Sequence, residues 1–322
     1  HTVPYFLNDR AMEINSYQDW WLCERLLTQR RVVFVVAGYP AIGMGHVFRS
    51  LMLAHEIANH KVFFVCTKES ELAASNIAAR DYKTVIQQGE LWEDVLALDP
   101  DLVINDMLDT PREYMEHLKA ANIPVVNFDT DVVDVDMVDA LVATDNYSAG
   151  VAVGEDMLKK LPEGSKIAIM DIPSNVASDA RINGLLDTLG DHVVVVDRLN
   201  GKGDTGVTLP IAEDLIIANP DLAAFFGMND PMAIGCVQAV ASQGKTGEIL
   251  VWGVDGSPEA KQCVAEGTME GTGAQSPATI GKVTIETAYK LLEGETFDEK
   301  IYIESFIINS DNIDEYSLDG WQ

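Results

Sequence analysis

From Arg31 onward the sequence repeats one theme: a short run of Val, Ile and Phe, followed by a longer amphipathic stretch. RVVFVVAG, KVFFVCT, TVIQQ, DLVIND and IPVVNFD read as strands, and HVFRSLMLAHEIAN, ELAASNIAARDY, LWEDVLAL and PREYMEHLKAAN as the helices between them. The rhythm continues through SKIAIMDI, HVVVVDRL, LAAFFGMN, EILVWGVD, a strand near GTGAQ and one last strand at KIYIESFIIN. Continuous rather than alternating apolar runs mark strands covered on both faces, hence a parallel sheet. Repeated strand–helix units with right-handed crossovers wind doubly about such sheets, so the expected class is α/β. The helix DARINGLLDTLG should end at Gly190. Residues 1–30 fall outside this rhythm; they carry Trp20 and Trp21 and predict a helix from about Ser16.

A chain of 322 residues exceeds what one hydrophobic core organises, so two domains are expected. The net charge of −29 is unevenly spread. Residues 1–128 hold 11 Lys and Arg against 17 Asp and Glu, whereas the remainder holds 11 against 34. A potential of that sign repels phosphate backbones and anionic lipid, which argues against nucleic acid and membrane surfaces as partners. No apolar run approaches a membrane span. No charged-then-apolar leader precedes the first strand, and a secreted origin stays open because a cleaved leader leaves no trace. Cys23, Cys66, Cys236 and Cys263 show no metal spacing and read as free buried thiols, with a Cys236–Cys263 disulfide the alternative. No metal or cofactor is expected.

The first strand runs into GYPAIGMGHVFRSLMLA, a glycine-rich turn at the head of a helix. Gly43 and Gly45 allow close backbone approach, and the N–H groups of the helix start can hold an anion. His46 and Arg49 share the first helical face, and a histidine there can serve as a general base. A tight turn with a hydrogen-bonded histidine explains the same residues. No dinucleotide fingerprint is present. The motif GMGHVFRSLMLA and the stretch PDLVINDMLDTPREYMEHLK resemble the nucleotide-sugar hydrolase and spore-coat polysaccharide family, whose domains are of the glycosyltransferase-B type. AMEINSYQDWWLCERLL resembles the tail of a cytidylyltransferase domain. This resemblance covers about residues 10–128, and it implies that His46 activates water.

Downstream, Asp129, Arg181, Asn229, Asp255 and Gln275 each fall just past a predicted strand or at an adjacent helix start. In open α/β sheets ligands bind at that edge. One guanidinium, two carboxylates and two carboxamides suit the donors and acceptors of vicinal hydroxyls. Phe225, Phe226 or Trp252 are the aromatic candidates to cover a sugar's C–H surface. Each residue also has a plainer reading: Asn229 with Asp230 can cap a helix, Asp255 before Gly256 can form a turn, and Arg181 can be a solvated cation. The segments IPVVNFDTDV, TDNYSAGVAVGEDM, ARINGLL, FFGMNDPMAIG, VWGVDGSPEA and GAQSPATIG are similar, in order, to periplasmic sugar-binding proteins of the ribose and galactose type, which share their fold with LacI-type repressor cores. The similarity runs from about residue 123 to the end.

Taken with that resemblance, the expected architecture is two doubly wound, Rossmann-like parallel-sheet lobes joined by a hinge. The first lobe is expected to hold residues 1–128 with 276–300, the second 129–275 with 301–322. Crossings near Asp129, Gln275 and Lys300 would make the hinge. The leading reading is a binder of a small sugar or polyol, extracytoplasmic and serving the permease of an ABC transporter. The alternatives are a cytoplasmic nucleotide-sugar enzyme using His46, and a fusion of two family fragments with neither activity intact.

Overall fold

The computed structural model describes residues 14–40, 42–107, 109–130, 132 and 135–321. Residues 11–13 of the cytidylyltransferase-like segment lie outside these. The chain divides into two compact units. Unit 1 is the chain up to Leu141 together with Thr284–Glu299; unit 2 is Val142–Val283 together with Lys300–Gln322. It therefore passes from one unit to the other at three places.

Through unit 1 the order is α1 (Tyr17–Leu27), β1 (Arg31–Val36), α2 (Gly45–Glu56), β2 (Lys61–Cys66), α3 (Glu71–Ala78), β3 (Lys83–Ile86), α4 (Leu91–Leu96), β4 (Leu102–Asp106), α5 (Arg112–Ala120) and β5 (Val125–Asp129). The first passage between units falls within β6 (Ala140–Thr144). Unit 2 continues with α6 (Asn146–Lys160), β7 (Ser165–Asp171), α7 (Val176–Leu189), β8 (Val193–Asn200), α8 (Thr205–Ala218), β9 (Leu222–Gly227), α9 (Asp230–Ser242), β10 (Leu250–Asp255), α10 (Pro258–Ala265) and β11 (Gly271–Ala274). Then come α11 (Pro277–Glu293), β12 (Lys300–Ile303) and β13 (Phe306–Asn309).

Two sheets result, ordered β12-β6-β5-β4-β1-β2-β3 and β13-β11-β10-β9-β7-β8. The pairings of β1 with β2 and β4, and of β7 with β8 and β9, are parallel, as continuous apolar runs predict. Val32 to Val36 and Leu102 to Asp106 are buried along their whole length. Both sheets reverse direction in chain order beside the first strand of their unit, β1 and β7, and in open α/β sheets ligands bind at the carboxyl ends beside such a reversal.

Three expectations need correction. KIYIESFIIN is not one strand: it breaks at Glu304–Ser305 into β12 and β13, which join different sheets. β13 runs antiparallel to β11. The run VVVV in β8 is an edge strand, with Val194 and Val195 exposed, so its apolar content does not signal double coverage. All four cysteines are free thiols, with Cys66 and Cys236 buried and Cys23 and Cys263 partly so. Burial pushes the Cys66 thiol up to about 12, which makes it unreactive. The helix at the start forms as α1, capped by the Ser16 side chain, and none of its residues is buried. Gly190 ends α7 at φ 51°.

Two helices of unit 2 approach unusually closely. A Cβ on Gly150 of α6 would lie 1.9 Å from the Arg181 carbonyl, and one on Gly184 of α7 would lie 2.1 Å from the Tyr147 carbonyl. Glycine is required at both because the opposing atoms are backbone and cannot rotate away. This backbone contact sets the separation of the α6 and α7 amino-terminal ends, where the polar residues of the next section sit.

Candidate functional site

Arg181 lies one turn into α7 and is only 6% exposed. A buried guanidinium requires partners for its N–H groups. Its Nε donates to Asn146 Oδ1 (2.8 Å) and its Nη1 to the Met228 carbonyl (2.8 Å) and Asp255 Oδ1 (3.0 Å). Three chain segments, at the start of α6 and the ends of β9 and β10, thus converge on one side chain. Gln275, just past β11, donates from Nε2 to the same Asp255 oxygen (2.6 Å) and accepts from Thr144 Oγ1 (2.6 Å). Asp255 adopts φ 136°, which L side chains rarely take, and Gly256 follows at φ 75°. Such strain persists where surrounding structure over-determines it, and it clusters at ligand clamps.

Asn229 sits next to this cluster, past the end of β9. Its Oδ1 accepts from the Met232 N–H (3.1 Å), capping α9, and its Nδ2 reaches the Gly203 carbonyl (3.4 Å). Arg181, Asp255 and Gln275 are therefore bonded together, whereas Asn229 caps a helix beside them. The solvated-cation reading of Arg181 is excluded by its burial.

Asp129 belongs to unit 1. Its Oδ2 pairs with Arg49 Nη2 (2.8 Å), and Arg49 also bonds Asp106 (3.2 and 3.3 Å). Asp106, fully buried at the end of β4, also holds His46 Nδ1 at 2.6 Å. Gly43, at φ 75°, and Gly45 shape the turn ahead of these residues. The arrangement differs from an anion cradle: two carboxylates already hold the guanidinium that a phosphate would meet, and they repel a second anion.

The aromatic candidates are corrected. Phe225, Phe226 and Trp252 are wholly buried in the unit 2 core. The Trp252 indole donates to Asp156 Oδ2 (2.9 Å). They lie within β9 and β10, wholly in the core, and present no face to a ligand.

Sequence reasoning passed over Asn146, Thr144, Asp106 and Asp230. Asp106 closes a buried strand, and a carboxylate ending an otherwise apolar run is the signal that would have found it. Asn146 and Asp230 carried a weaker signal, since both read as ordinary helix-start residues.

The site's polar set lies at the strand ends expected of a solute binder. A family model described as periplasmic binding protein domain matches residues 68–296. The chain belongs to that family. The match starts well inside the segment that resembles nucleotide-sugar hydrolases and runs unbroken across residues 123–128, where a family change is expected from the sequence. The ribose import binding protein of Bacillus subtilis is 31% identical over 222 residues, covering 69% of each chain. The D-allose-binding periplasmic protein of Escherichia coli is 38% identical over 148 residues, 45% of this chain and 48% of that protein. Among solved structures, an ABC transporter solute binding protein from Bacillus halodurans with bound myo-inositol superposes with a TM-score of 0.74 at 21% identity, covering 90% of this chain and 98% of that one. An L-arabinose-bound periplasmic protein from a Shewanella species gives 0.72 at 20% identity over 88% of this chain and 93% of that one. The fold is thus that of two-lobed α/β periplasmic binding proteins, and the family binds sugars for transport.

Proposed function

We propose that the chain binds a neutral monosaccharide or cyclic polyol at the edge of unit 2 where Arg181, Asp255 and Gln275 meet. The observation that carries this reading is their mutual bonding: a buried guanidinium, a carboxylate in a strained turn and a carboxamide share one oxygen, Asp255 Oδ1. The charged pair cancels locally, so the site offers donors and acceptors without net charge, which suits vicinal hydroxyls better than an ionic solute. Hydrogen bonds to charged partners contribute about 1.5–3 kcal/mol each, so a handful reaches the roughly −8 kcal/mol of micromolar binding. The names of the relatives, which bind ribose, allose and myo-inositol, point to the same class. Asp129 and Arg49 repeat the guanidinium–carboxylate pairing at the corresponding edge of unit 1, and Asn229 borders the unit 2 cluster; each is assigned a ligand-binding role of the same chemistry. The reading makes the chain the extracytoplasmic solute carrier of an ABC transporter, handing its ligand to a membrane permease.

The test is calorimetric titration with D-ribose, D-allose, L-arabinose and myo-inositol. Saturable binding of one of them at micromolar concentration is expected, weakened at least a hundredfold in Asp255→Ala. A flat response to the whole panel, with no thermal shift at millimolar ligand, rules the reading out.

A further inference from the structure

The Asp255 turn has a foundation outside the cluster itself. Asp230, the first residue of α9, is fully buried. Its Oδ2 accepts the backbone N–H of Ser257 (2.7 Å), and its Oδ1 accepts the hydroxyl of Thr272 on β11 (2.7 Å). Thr272 Oγ1 in turn accepts the N–H of Gly256 (3.0 Å). Both peptide N–H groups that follow Asp255 are therefore anchored to one carboxylate, one directly and one through a threonine. The sheet leaves room for that carboxylate: a Cβ at Gly253 would come within 2.5 Å of Asp230 Oδ1. Since Asp255 and Gly256 both occupy positive φ, the turn needs external bonds to stay in that conformation.

We propose that Asp230, acting through Thr272, is the positioning residue that holds the Asp255 turn in its ligand-competent geometry. This rests on the sugar-binding reading of the same site. Both of its partners donate, so the ionised carboxylate satisfies them together, whereas an asparagine amide must turn an NH2 toward one of them. The charged groups facing Asp230 are Asp255 on β10, which repels it, and Lys261 on α10, which attracts it. Burial, then the charge of Asp255, pushes the Asp230 carboxyl up to about 7. Protonation inserts a donor where an acceptor is needed and releases the Thr272 hydroxyl, so the turn is held more firmly above that pH than below it.

The experiment pairs two variants with two readouts. Thr272→Val keeps the shape and removes the relay hydroxyl, whereas Thr272→Ser keeps the hydroxyl. In wild type, the dissociation constant for whichever of D-ribose, D-allose, L-arabinose or myo-inositol binds should tighten as pH rises from 6 to 8. Thr272→Val should weaken it about tenfold, the effect of one hydrogen bond to a charged group, and reduce the pH profile to the part carried by the direct Ser257 bond. Thr272→Ser should restore both. The second readout needs no ligand: the amide resonances of Gly256 and Ser257 should titrate near neutrality in wild type and Thr272→Ser but not in Asp230→Asn. A folded Thr272→Val with an unchanged dissociation constant and pH profile overturns the proposal, as do Gly256 and Ser257 resonances that do not move with pH. Amides that titrate in a protein that binds none of the four sugars refute the binding reading while leaving the positioning of the turn intact.

Discussion

Both units present an arginine paired with carboxylate at the carboxyl edge of a parallel sheet, Asp255 in unit 2 and Asp106 with Asp129 in unit 1, yet they complete the surrounding polar network differently. In unit 2 the guanidinium is buried and each group it meets is itself bonded onward, from Asn146 and Met228 through Asp255 to Gln275 and Thr144. In unit 1 Arg49 is 28% exposed in its side chain and shares Asp106 with His46. Among the described residues, buried Ser50 Oγ, His60 Nε2, Trp92 Nε1, Asn105 Oδ1 and the Tyr114 hydroxyl of unit 1 have no partner within the protein, against Ser305 Oγ alone in unit 2. A buried polar atom left unbonded costs about 1–3 kcal/mol. Among the described residues unit 2 therefore leaves fewer buried polar atoms unbonded than unit 1 does. The contrast teaches that edge position and residue type alone do not make a preorganised site; closure of the network does.

The sharpest way to break that comparison is to remove each arginine. Arg181→Met strands a buried network and should cost about 3 kcal/mol of stability, the lower end for breaking a buried pair. Sugar affinity should disappear with it. Arg49→Met should cost about half as much, because Asp106 keeps its bond to His46. Urea denaturation of both variants checks this, and equal losses would show that the two networks are equally closed.

The glycines sharpen the comparison at a smaller scale. Gly184→Ala drives a Cβ into the Tyr147 carbonyl and should cost about 3 kcal/mol, as overpacking against backbone does. At Gly45, the unit 1 motif glycine, a Cβ would meet only Arg49 Nη1 at 3.6 Å, an ordinary contact. Gly45→Ala should therefore be within about 0.5 kcal/mol of wild type. A large loss at Gly45 would mean that its turn is under a constraint its surroundings do not reveal.

Much of this was legible in the sequence, for identifiable reasons. Strand and helix order followed from apolar runs, and the meeting of Arg181, Asp255 and Gln275 followed because residues past parallel strands face one edge. Phe225, Phe226 and Trp252 cover no ligand because they lie in β9 and β10, runs covered on both faces, where side chains are buried. The break at Ser305 was invisible because no Gly or Pro marks it and only tertiary pairing separates β12 from β13. Asp230 was hidden by chemistry it shares with every helix start; its role depends on Thr272 and Ser257, distant in sequence.

The smallest expected effect separates the units by the sign of their pH response. In unit 1 burial is the first cause that depresses the His60 imidazole below its ordinary value, with Arg30 second, and its Nδ1 accepts the Arg30 N–H (3.2 Å). A histidine held neutral in the folded state stabilises above its unfolded pKa, and that contribution is lost as pH falls below about 6.5. In unit 2 the Asp230 carboxyl is raised to about 7, so the folded state binds its proton more tightly than the unfolded chain does. That contribution is complete below about pH 4 and is lost as pH rises toward 7. The two slopes oppose each other just below about pH 6.5. Single variants uncover them: His60→Gln should leave stability falling with pH across that range, and Asp230→Asn should leave it rising. Urea midpoints measured at half-unit pH steps decide the matter. Parallel curves for wild type and both variants would show that neither buried group distinguishes the units.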